Sequence, residues 1–332
     1  MTQNALDVLG VGNAIVDVLA KADDQFLADH KIEKGGMTLI DGAQATSIYD
    51  AMAPGVEISG GSVANSIACV ASLGGKGGYV GKVADDTLGG IFRHDLQAID
   101  VEYETTPLTD GPGTGRCLVN VTPDAQRSMT TFLGAATCIT ADDIDASQIA
   151  RAAITFFEGY LFDVPKARDA FVAASTAAHD AGQRTSLTLS DAGCVERHFD
   201  RVTAFVGDHV DILLANEHEA ATLFGSSDLA VMAEKAREAA SLTAITRSGE
   251  GSILVPREGD IVTVEAVAPP RLVDTTGAGD AYAAGLLFGV AKGMDLARAG
   301  RIASLAASEV ISHFGARPET PLEKLASDAG LL

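Results

Sequence analysis

Short apolar runs alternate with longer helical segments along most of this chain. Predicted strands at residues 78–83, 154–158 and 211–215 are each followed by a segment with helical periodicity. Repeated strand–helix–strand alternation predicts a mostly parallel sheet with helices on both faces, which is an α/β fold. Ligands of such sheets bind outside the carboxyl ends of the strands, so we expect the functional residues at strand-to-helix turns. Further strands are predicted at 6–11, 185–190, 242–246 and 252–256, and helices at 61–73, 87–98, 165–181, 229–240, 276–292 and 296–311.

Two stretches, at 15–40 and 101–133, break this alternation. Both are rich in β-forming residues and have little helical period. We interpret them as four strands of a small separate sheet, which either lies over the main sheet as a lid or extends one of its edges. The whole chain, 1–332, is predicted to be one α/β domain with this small sheet attached.

The most informative motif is Asp274-Thr-Thr-Gly-Ala-Gly-Asp280, which precedes an Ala-rich helical segment. Small residues let backbone N–H groups approach a phosphate closely, and a helix N-terminus adds partial positive charge. A carboxylate at Asp280, in the first helical turn, can accept a proton from an incoming hydroxyl. The motif is therefore a candidate centre for phosphoryl transfer, but a Gly turn followed by an ordinary helix start requires the same residues.

Two earlier motifs combine glycine with polar side chains. Gly60-Gly61-Ser62-Val63-Ala64-Asn65 opens a predicted helix and places the Asn65 amide on its first turn. Gly12-Asn13-x-x-x-Asp17 follows the first predicted strand. Amide and carboxylate groups in these positions can bind neighbouring hydroxyls of a polyhydroxy ligand. Each motif is equally compatible with a structural turn.

Two later motifs also stand at the ends of predicted strands. In Asn216-Glu217-His218-Glu219 a carboxylate can organise Mg²⁺ through water. The run 246–251, Thr-Arg-Ser-Gly-Glu-Gly, is suited to the ribose and phosphates of a nucleotide. The sequence has no Gly-x-x-x-x-Gly-Lys-Ser/Thr loop and no third glycine after Gly10-x-Gly12, which argues against a Walker-type phosphotransferase and a Rossmann dehydrogenase.

The order of these motifs along the chain resembles the PfkB/ribokinase family of carbohydrate and nucleoside kinases. The resemblance implies a ribokinase-like three-layer α/β sandwich with a small β-sheet lid, formed by roughly 14–42 and 101–135. It implies ATP and Mg²⁺ as cofactors, with Asp280 as the catalytic base and the amides of Gly277, Ala278 and Gly279 as the anion site for the transferring phosphoryl group.

The resemblance assigns the other site residues as follows. The acceptor is bound by Asn13, Asp17, Gly60, Gly61 and Asn65. ATP is bound by Asn216, Thr246, Ser248, Gly249, Gly251, Ser308 and His313. Glu219 holds Mg²⁺ through water, and Asp274 with Thr276 are candidate ligands of a monovalent cation, usually K⁺.

The acceptor is harder to predict. The motifs around Asn13, Asp17 and Ser62 are similar to those of adenosine kinases, and ribokinases usually carry Lys at the position of Ser62. The run 246–249 is instead generic for sugar kinases. We therefore expect a nucleoside kinase acting on adenosine. The alternatives are a sugar kinase for fructose, ribose or a 2-keto-3-deoxy sugar acid, and a non-catalytic module that binds sugar or nucleoside.

Charge and cysteine content exclude several other classes. The 332 residues include 45 acidic and 24 basic side chains, for a net charge of −21. Such a field repels nucleic acid and anionic membranes, so we expect neither as a partner. Four unclustered cysteines, no signal-peptide pattern and no long apolar run indicate a reduced cytoplasmic enzyme. The sequence is compatible with a monomer or a homodimer.

Overall fold

The computed structural model describes residues 5–124, 126–164 and 166–332. Its strands are β1 (Leu6–Val11), β2 (Ile15–Lys21), β3 (Met37–Leu39), β4 (Val56–Gly60), β5 (Gly77–Val80), β6 (Glu102–Tyr103), β7 (Gly115–Val121), β8 (Arg127–Phe132), β9 (Ala152–Glu158), β10 (Arg184–Thr188), β11 (Ile212–Asn216), β12 (Leu242–Thr246), β13 (Ser252–Pro256) and β14 (Val262–Val264). Its helices are α1 (Asp24–Asp29), α2 (Gly42–Ala51), α3 (Ser62–Ser72), α4 (Thr87–Ala98), α5 (Ala146–Ala150), α6 (Ala167–Asp180), α7 (Ala192–Arg197), α8 (Phe199–His209), α9 (Glu217–Phe224), α10 (Leu229–Ala239), α11 (Ala278–Ala291), α12 (Leu296–Val310) and α13 (Leu322–Asp328).

The larger sheet follows from the strand–helix alternation of the sequence. Among the described residues it has nine strands, in the order β14-β13-β12-β11-β10-β9-β1-β5-β6. Neighbours from β12 to β6 pair in parallel, and β13 and β14 add an antiparallel edge. The carboxyl ends of the parallel strands therefore meet along one edge of the sheet, as the sequence predicted.

Helices cover both faces of this sheet, because its strands carry apolar side chains on both sides. In β11, Ile212 and Leu214 belong to a core shared with α3, α11 and α12. The alternate residues Leu213 and Ala215 belong to a second core, shared with α6, α8 and α10. The result is a three-layer α/β sandwich, which confirms the predicted fold class.

The smaller sheet contains the predicted β-rich stretches. Its order is β3-β8-β7-β2-β4, and it remains separate from the larger sheet. The sequence predicted four strands here and missed β4, a short run after Pro54-Gly55 that sequence analysis left unassigned. The stretch 101–133 is divided between the sheets, since its first strand, β6, pairs with β5 of the larger sheet.

Element boundaries agree best where turn or capping signals are strong. The predictions for 87–98, 242–246 and 252–256 match α4, β12 and β13 to the residue. The strand predicted at 78–83 ends at Val80, and the helix predicted from Pro165 begins at Ala167, while Pro165 itself lies outside the described residues. No helix was predicted at α1, α2, α5, α7, α8 or α13, and α1 lies within the stretch 15–40 that was interpreted as strands.

The helices of the described part of the chain are too short or too polar to cross a bilayer.

Candidate active site

A cleft of about 1440 Å³ lies between the two sheets. Its base is formed by residues at the carboxyl ends of β1, β9, β10, β11 and β12 and by the first turn of α11. Side chains of β2, β3, β4, β7 and β8 form the opposite wall. Residues of four of the five predicted motifs therefore line one cleft, whereas the motif 246–251 contributes Thr246 alone.

Asp280 lies in the first turn of α11 and lines the cleft. One carboxylate oxygen accepts a hydrogen bond from Ser62 Oγ at 2.6 Å, and the other accepts from Asn65 Nδ2 at 3.4 Å. Desolvation raises the pKa of Asp280 to about 6, against the opposing effect of these two bonds. At neutral pH the carboxylate is ionised and can take a proton from a hydroxyl.

The turn before Asp280 is shaped by Gly277. This residue has φ +79°, and an added Cβ would lie 2.7 Å from Ala316 Cα, so only glycine fits here. The turn starts the 14-residue helix α11, whose N-terminus carries partial positive charge. The Ala278 N–H donates to the Thr275 carbonyl at 3.2 Å. An anion bound by the Ala278 amide would therefore share that donor.

The predicted acceptor residues gather on one side of Asp280. Asn13, Asp17, Gly61 and Asn65 line the cleft, and Gly60 lies directly against Asp17. A Cβ on Gly60 would lie 2.4 Å from the Asp17 carboxyl group. Any larger residue at position 60 would therefore clash with this carboxylate. Desolvation raises the pKa of Asp17 to about 6. Asp17 and Asp280 are thus both enclosed carboxylates of the acceptor side.

Glu158, at the end of β9, is a site residue that sequence analysis missed. It is 1 % exposed and accepts three hydrogen bonds, from Asn13 N at 2.9 Å, Asn13 Nδ2 at 2.6 Å and Val63 N at 3.1 Å. Burial raises its pKa to about 7. Glu158 fixes Asn13 relative to the start of α3. A charged residue at the carboxyl end of a predicted buried strand was the signal that could have identified it.

Two arginines of the cleft were also missed. Arg127 on β8 forms an ion pair with Asp274, with Nη1 2.7 Å from Oδ2, and lies over the Phe314 ring. Arg317 donates from Nε to Asn65 Oδ1 at 3.3 Å. Among the described residues, Nε and Nη2 of Arg127 and Nη2 of Arg317 are buried without a hydrogen-bond partner. Neither arginine belongs to a recognisable motif, so nothing in the local sequence distinguished them.

The residues predicted to bind nucleotide are only partly brought together. Asn216 and Thr246 are register partners at the ends of β11 and β12, and both line the cleft with Glu219. Asn216 and Glu219 form a reciprocal capping box at the start of α9, and burial raises the pKa of Glu219. Five predicted ATP contacts lie outside the cleft lining: Ser248, Gly249, Gly251, Ser308 and His313. His313 instead pairs with Glu309.

The candidate cation ligands Asp274 and Thr276 contact each other. Asp274 Oδ1 accepts from the N–H and Oγ–H of Thr276, and Oδ2 accepts from the Gly315 N–H and pairs with Arg127. The Asp274 charge is therefore already neutralised by a buried guanidinium. The monovalent-cation site at these residues stays a prediction.

Comparisons with known proteins agree with this geometry. Residues 42–323 match the family described as pfkB family carbohydrate kinase. The chain is 26% identical to adenosine kinase 2 of Arabidopsis thaliana, over 95% of this chain and 96% of that protein. It is 44% identical to the solved adenosine kinase of Sinorhizobium meliloti, with TM-score 0.90 over 98% and 99% of the two chains. It is 41% identical to a probable sugar kinase from Rhizobium etli CFN 42, with TM-score 0.91 over 99% and 100%. This chain therefore belongs to the pfkB family of carbohydrate kinases and is a phosphotransferase with a hydroxyl acceptor.

Proposed function

We propose that this kinase transfers the γ-phosphoryl group of ATP to the 5′-hydroxyl of a nucleoside, with adenosine as the preferred acceptor. The observation that carries the proposal is a cleft with two unlike halves. Asn13, Asp17 and Asn65 supply polar groups close to Asp280, and the small sheet supplies an apolar wall. A nucleoside has the same division, with ribose hydroxyls at one end and a flat base at the other.

The apolar wall is large enough to cover a base. It consists of Ile15, Leu19, Met37, Leu39, Val56, Ile58, Val119, Met129 and Leu133. Met37 and Leu39 are 49 % and 51 % exposed, so a bound base would remove apolar surface from water. Such burial contributes roughly 25 cal/mol per Å². A free sugar would leave this surface uncovered, and this favours the nucleoside over a sugar acceptor.

The phosphoryl transfer uses groups at the junction of the two halves. Asp17 and the Asn13 amide bind the ribose hydroxyls, which directs the primary hydroxyl toward Asp280. Asp280 takes the hydroxyl proton as the hydroxyl oxygen bonds to the γ-phosphorus, and the bond from phosphorus to the departing ADP oxygen breaks. The α11 N-terminus and the Gly277–Gly279 turn stabilise the charge on the transferring group. The small sheet, formed by β2, β3, β4, β7 and β8, acts as the lid that excludes water.

Asn216 and Glu219 are suited to a hydrated Mg²⁺ beside the phosphates. Both Glu219 oxygens accept hydrogen bonds from Asn216, yet a carboxylate has further lone pairs that can accept from metal-bound water. When bound, Mg²⁺ neutralises charge on the β- and γ-phosphates. Thr246 lies next to Asn216 on the same edge. We place Ser248, Gly249, Gly251, Ser308 and His313 around the adenosine end of ATP, beyond the cleft.

The test is an ADP-release assay with ATP, Mg²⁺ and a panel of acceptors: adenosine, other nucleosides, ribose, fructose and a 2-keto-3-deoxy sugar acid. We expect adenosine to be the best acceptor. Efficient turnover of free sugars without turnover of nucleosides would make the protein a sugar kinase. Binding of an acceptor without ADP release from any would support a non-catalytic module.

The apolar wall gives a sharper test. Leu39→Gln should raise the KM for adenosine by about tenfold and leave the KM for ATP unchanged, because only the base contacts this wall. Leu272→Gln is the matched control, since Leu272 is 66 % exposed and lies outside the cleft lining. Equal effects of the two substitutions on the adenosine KM would contradict the placement of the base.

A further inference from the structure

The segment after α12 forms a third wall of the cleft. Its residues Phe314–Glu319 all line the cavity. The segment is attached to the phosphoryl-transfer turn at two points: the Gly315 N–H donates to Asp274 Oδ2 at 3.1 Å, and Ala316 packs against Gly277. Arg317 is therefore held in a fixed position relative to Asp280.

Arg317 contacts the acceptor side of the cleft. Its Nε donates to Asn65 Oδ1, and the Asn65 Nδ2 group donates to Asp280 Oδ2. The guanidinium thereby determines which end of the Asn65 amide faces Asp280. With the amide reversed, its oxygen would face a carboxylate oxygen and repel it.

Arg317 is also the strongest countercharge of Asp17. Burial raises the pKa of Asp17, Arg317 and then Arg127 lower it, and Asp280 raises it. Besides these groups, the titratable Cys117 on β7 is the register partner of Asp17, and the Asp17 charge raises the pKa of its thiol. Four elements packed around Asp17 thus contribute charged or titratable groups: the segment after α12, β8, α11 and β7. Among these groups, Arg317 lowers the pKa of Asp17 the most.

Arg317 Nη2 is buried in the cleft and has no hydrogen-bond partner among the described residues. This donor is therefore not committed to another protein group when an acceptor binds.

We propose that Arg317 is a positioning residue of the acceptor subsite, which orients the Asn65 amide toward Asp280. The inference rests on the proposed function only in that Asp17 and Asn65 bind the acceptor. It holds for a nucleoside or a sugar, because both present neighbouring hydroxyls.

The kinetic test compares Arg317→Met and Arg317→Lys with the wild-type enzyme, using whichever acceptor the wild-type enzyme phosphorylates. Arg317→Met should raise the acceptor KM by about tenfold or more, because a hydrogen bond from a charged group is lost. The KM for ATP should change by less than about twofold, since Arg317 lies on the acceptor side. Arg317→Lys keeps the charge without the planar fork, and it should recover part of the acceptor affinity.

The pH test measures acceptor binding by calorimetry in an Asp280→Asn background, which removes one carboxylate whose pKa is also raised to about 6. Glu158, whose pKa is raised to about 7, is present in every variant compared, so a difference between variants reports the change at Arg317. Binding should weaken on acidification as Asp17 takes up a proton. The midpoint is the pH at which acceptor binding is half lost. Adding Arg317→Met should move this midpoint to higher pH, and adding Arg317→Lys should move it less. An unchanged acceptor KM together with an unchanged midpoint would overturn the proposal.

Two controls separate the possible failures. If Arg317→Met does not fold, as judged by thermal melting, Arg317→Lys carries the test, and a wild-type acceptor KM in that variant overturns the orienting role. If the wild-type enzyme phosphorylates only free sugars, the proposed nucleoside acceptor fails while the Arg317 comparison proceeds with the sugar. A loss of ATP affinity equal to the loss of acceptor affinity would also contradict the proposal.

Discussion

Asp280→Asn should lower kcat by about 10²-fold to 10⁴-fold, which is the range for removal of a general base. Asparagine keeps the shape of the side chain, and Ser62 Oγ can still donate to its oxygen. Only the 3.4 Å contact with the Asn65 Nδ2 group is lost, because two donors would then face each other. A hydrogen bond to a charged group is worth about 1.5–3 kcal/mol, and this long contact belongs at the weak end, so its loss accounts for roughly a tenfold effect. The expected loss of kcat is larger, so the missing base must account for most of it.

The pH profile provides the second half of this prediction. Because desolvation raises the pKa of Asp280 from 3.8 to about 6, the base is ionised above that pH and protonated below it. The kcat reports the same carboxylate with both substrates bound, still enclosed in the cleft, so kcat should fall on acidification at a higher pH than the pH of about 4 expected for an ordinary exposed aspartate. Asp280→Asn should abolish this acidic limb.

The assay is ADP release at saturating acceptor and ATP, from about pH 5 to about pH 9, with acceptor binding measured by calorimetry. Ser62→Ala is the matched control. It removes the 2.6 Å hydrogen bond to Asp280 but leaves the carboxylate, so kcat should fall by less than about tenfold and the acidic limb should move to higher pH. A kcat within about tenfold of wild type in Asp280→Asn, or an acidic limb that persists, would refute the assignment of Asp280 as the base.

Two further predictions concern buried charges that support the site. Glu158→Gln should lower the free energy of unfolding by about 1–3 kcal/mol, because the new amide N–H₂ would face the Val63 N–H or an Asn13 donor. The pKa of Glu158 is raised from 4.5 to about 7 in the folded protein, so its contribution to stability is present at low pH and lost as the pH rises through about 7. The stability difference between wild type and Glu158→Gln, measured by urea unfolding, should therefore vary with pH, and a constant difference would contradict the buried carboxylate. Asp274→Asn should cost about 3 kcal/mol by the same assay, since it leaves Arg127 buried and unpaired. The double variant Asp274→Asn with Arg127→Met should cost less than the sum of the two single changes, and simple additivity would exclude a coupled pair.

The local sequence was sufficient for elements with clear boundaries. The helix 87–98 has an N-cap aspartate, Asp86, whose side chain accepts from the Gly89 N–H, and its predicted limits are those observed. Strand 242–246 is apolar on both faces and ends at a Gly turn, and it too was predicted correctly. Such signals act within a few residues and need no knowledge of the rest of the fold.

The elements that were missed depend on distant partners. Strand β4 has the exposed residue Val56 and little apolar character, and it is a strand because β2 offers it an antiparallel edge. In the sequence Arg127 is an ordinary strand residue, and only the fold brings its guanidinium group next to Asp274. The motif around Asp274 likewise contains no sign that a guanidinium group of the same protein pairs with its carboxylate.

The sequence by itself determined the α/β class, the strand-to-helix position of the site and the run from Asp274 to Asp280. These features follow from hydrophobic period, turn chemistry and the order of local motifs. Only the tertiary structure decided which charges surround the acceptor: Glu158 behind Asn13, Arg127 on Asp274 and Arg317 between Asn65 and Asp17. The two residues of each of these contacts are far apart in the chain. The charges therefore interact, and the pKa values of the site shift, only after packing has brought these residues together and buried them.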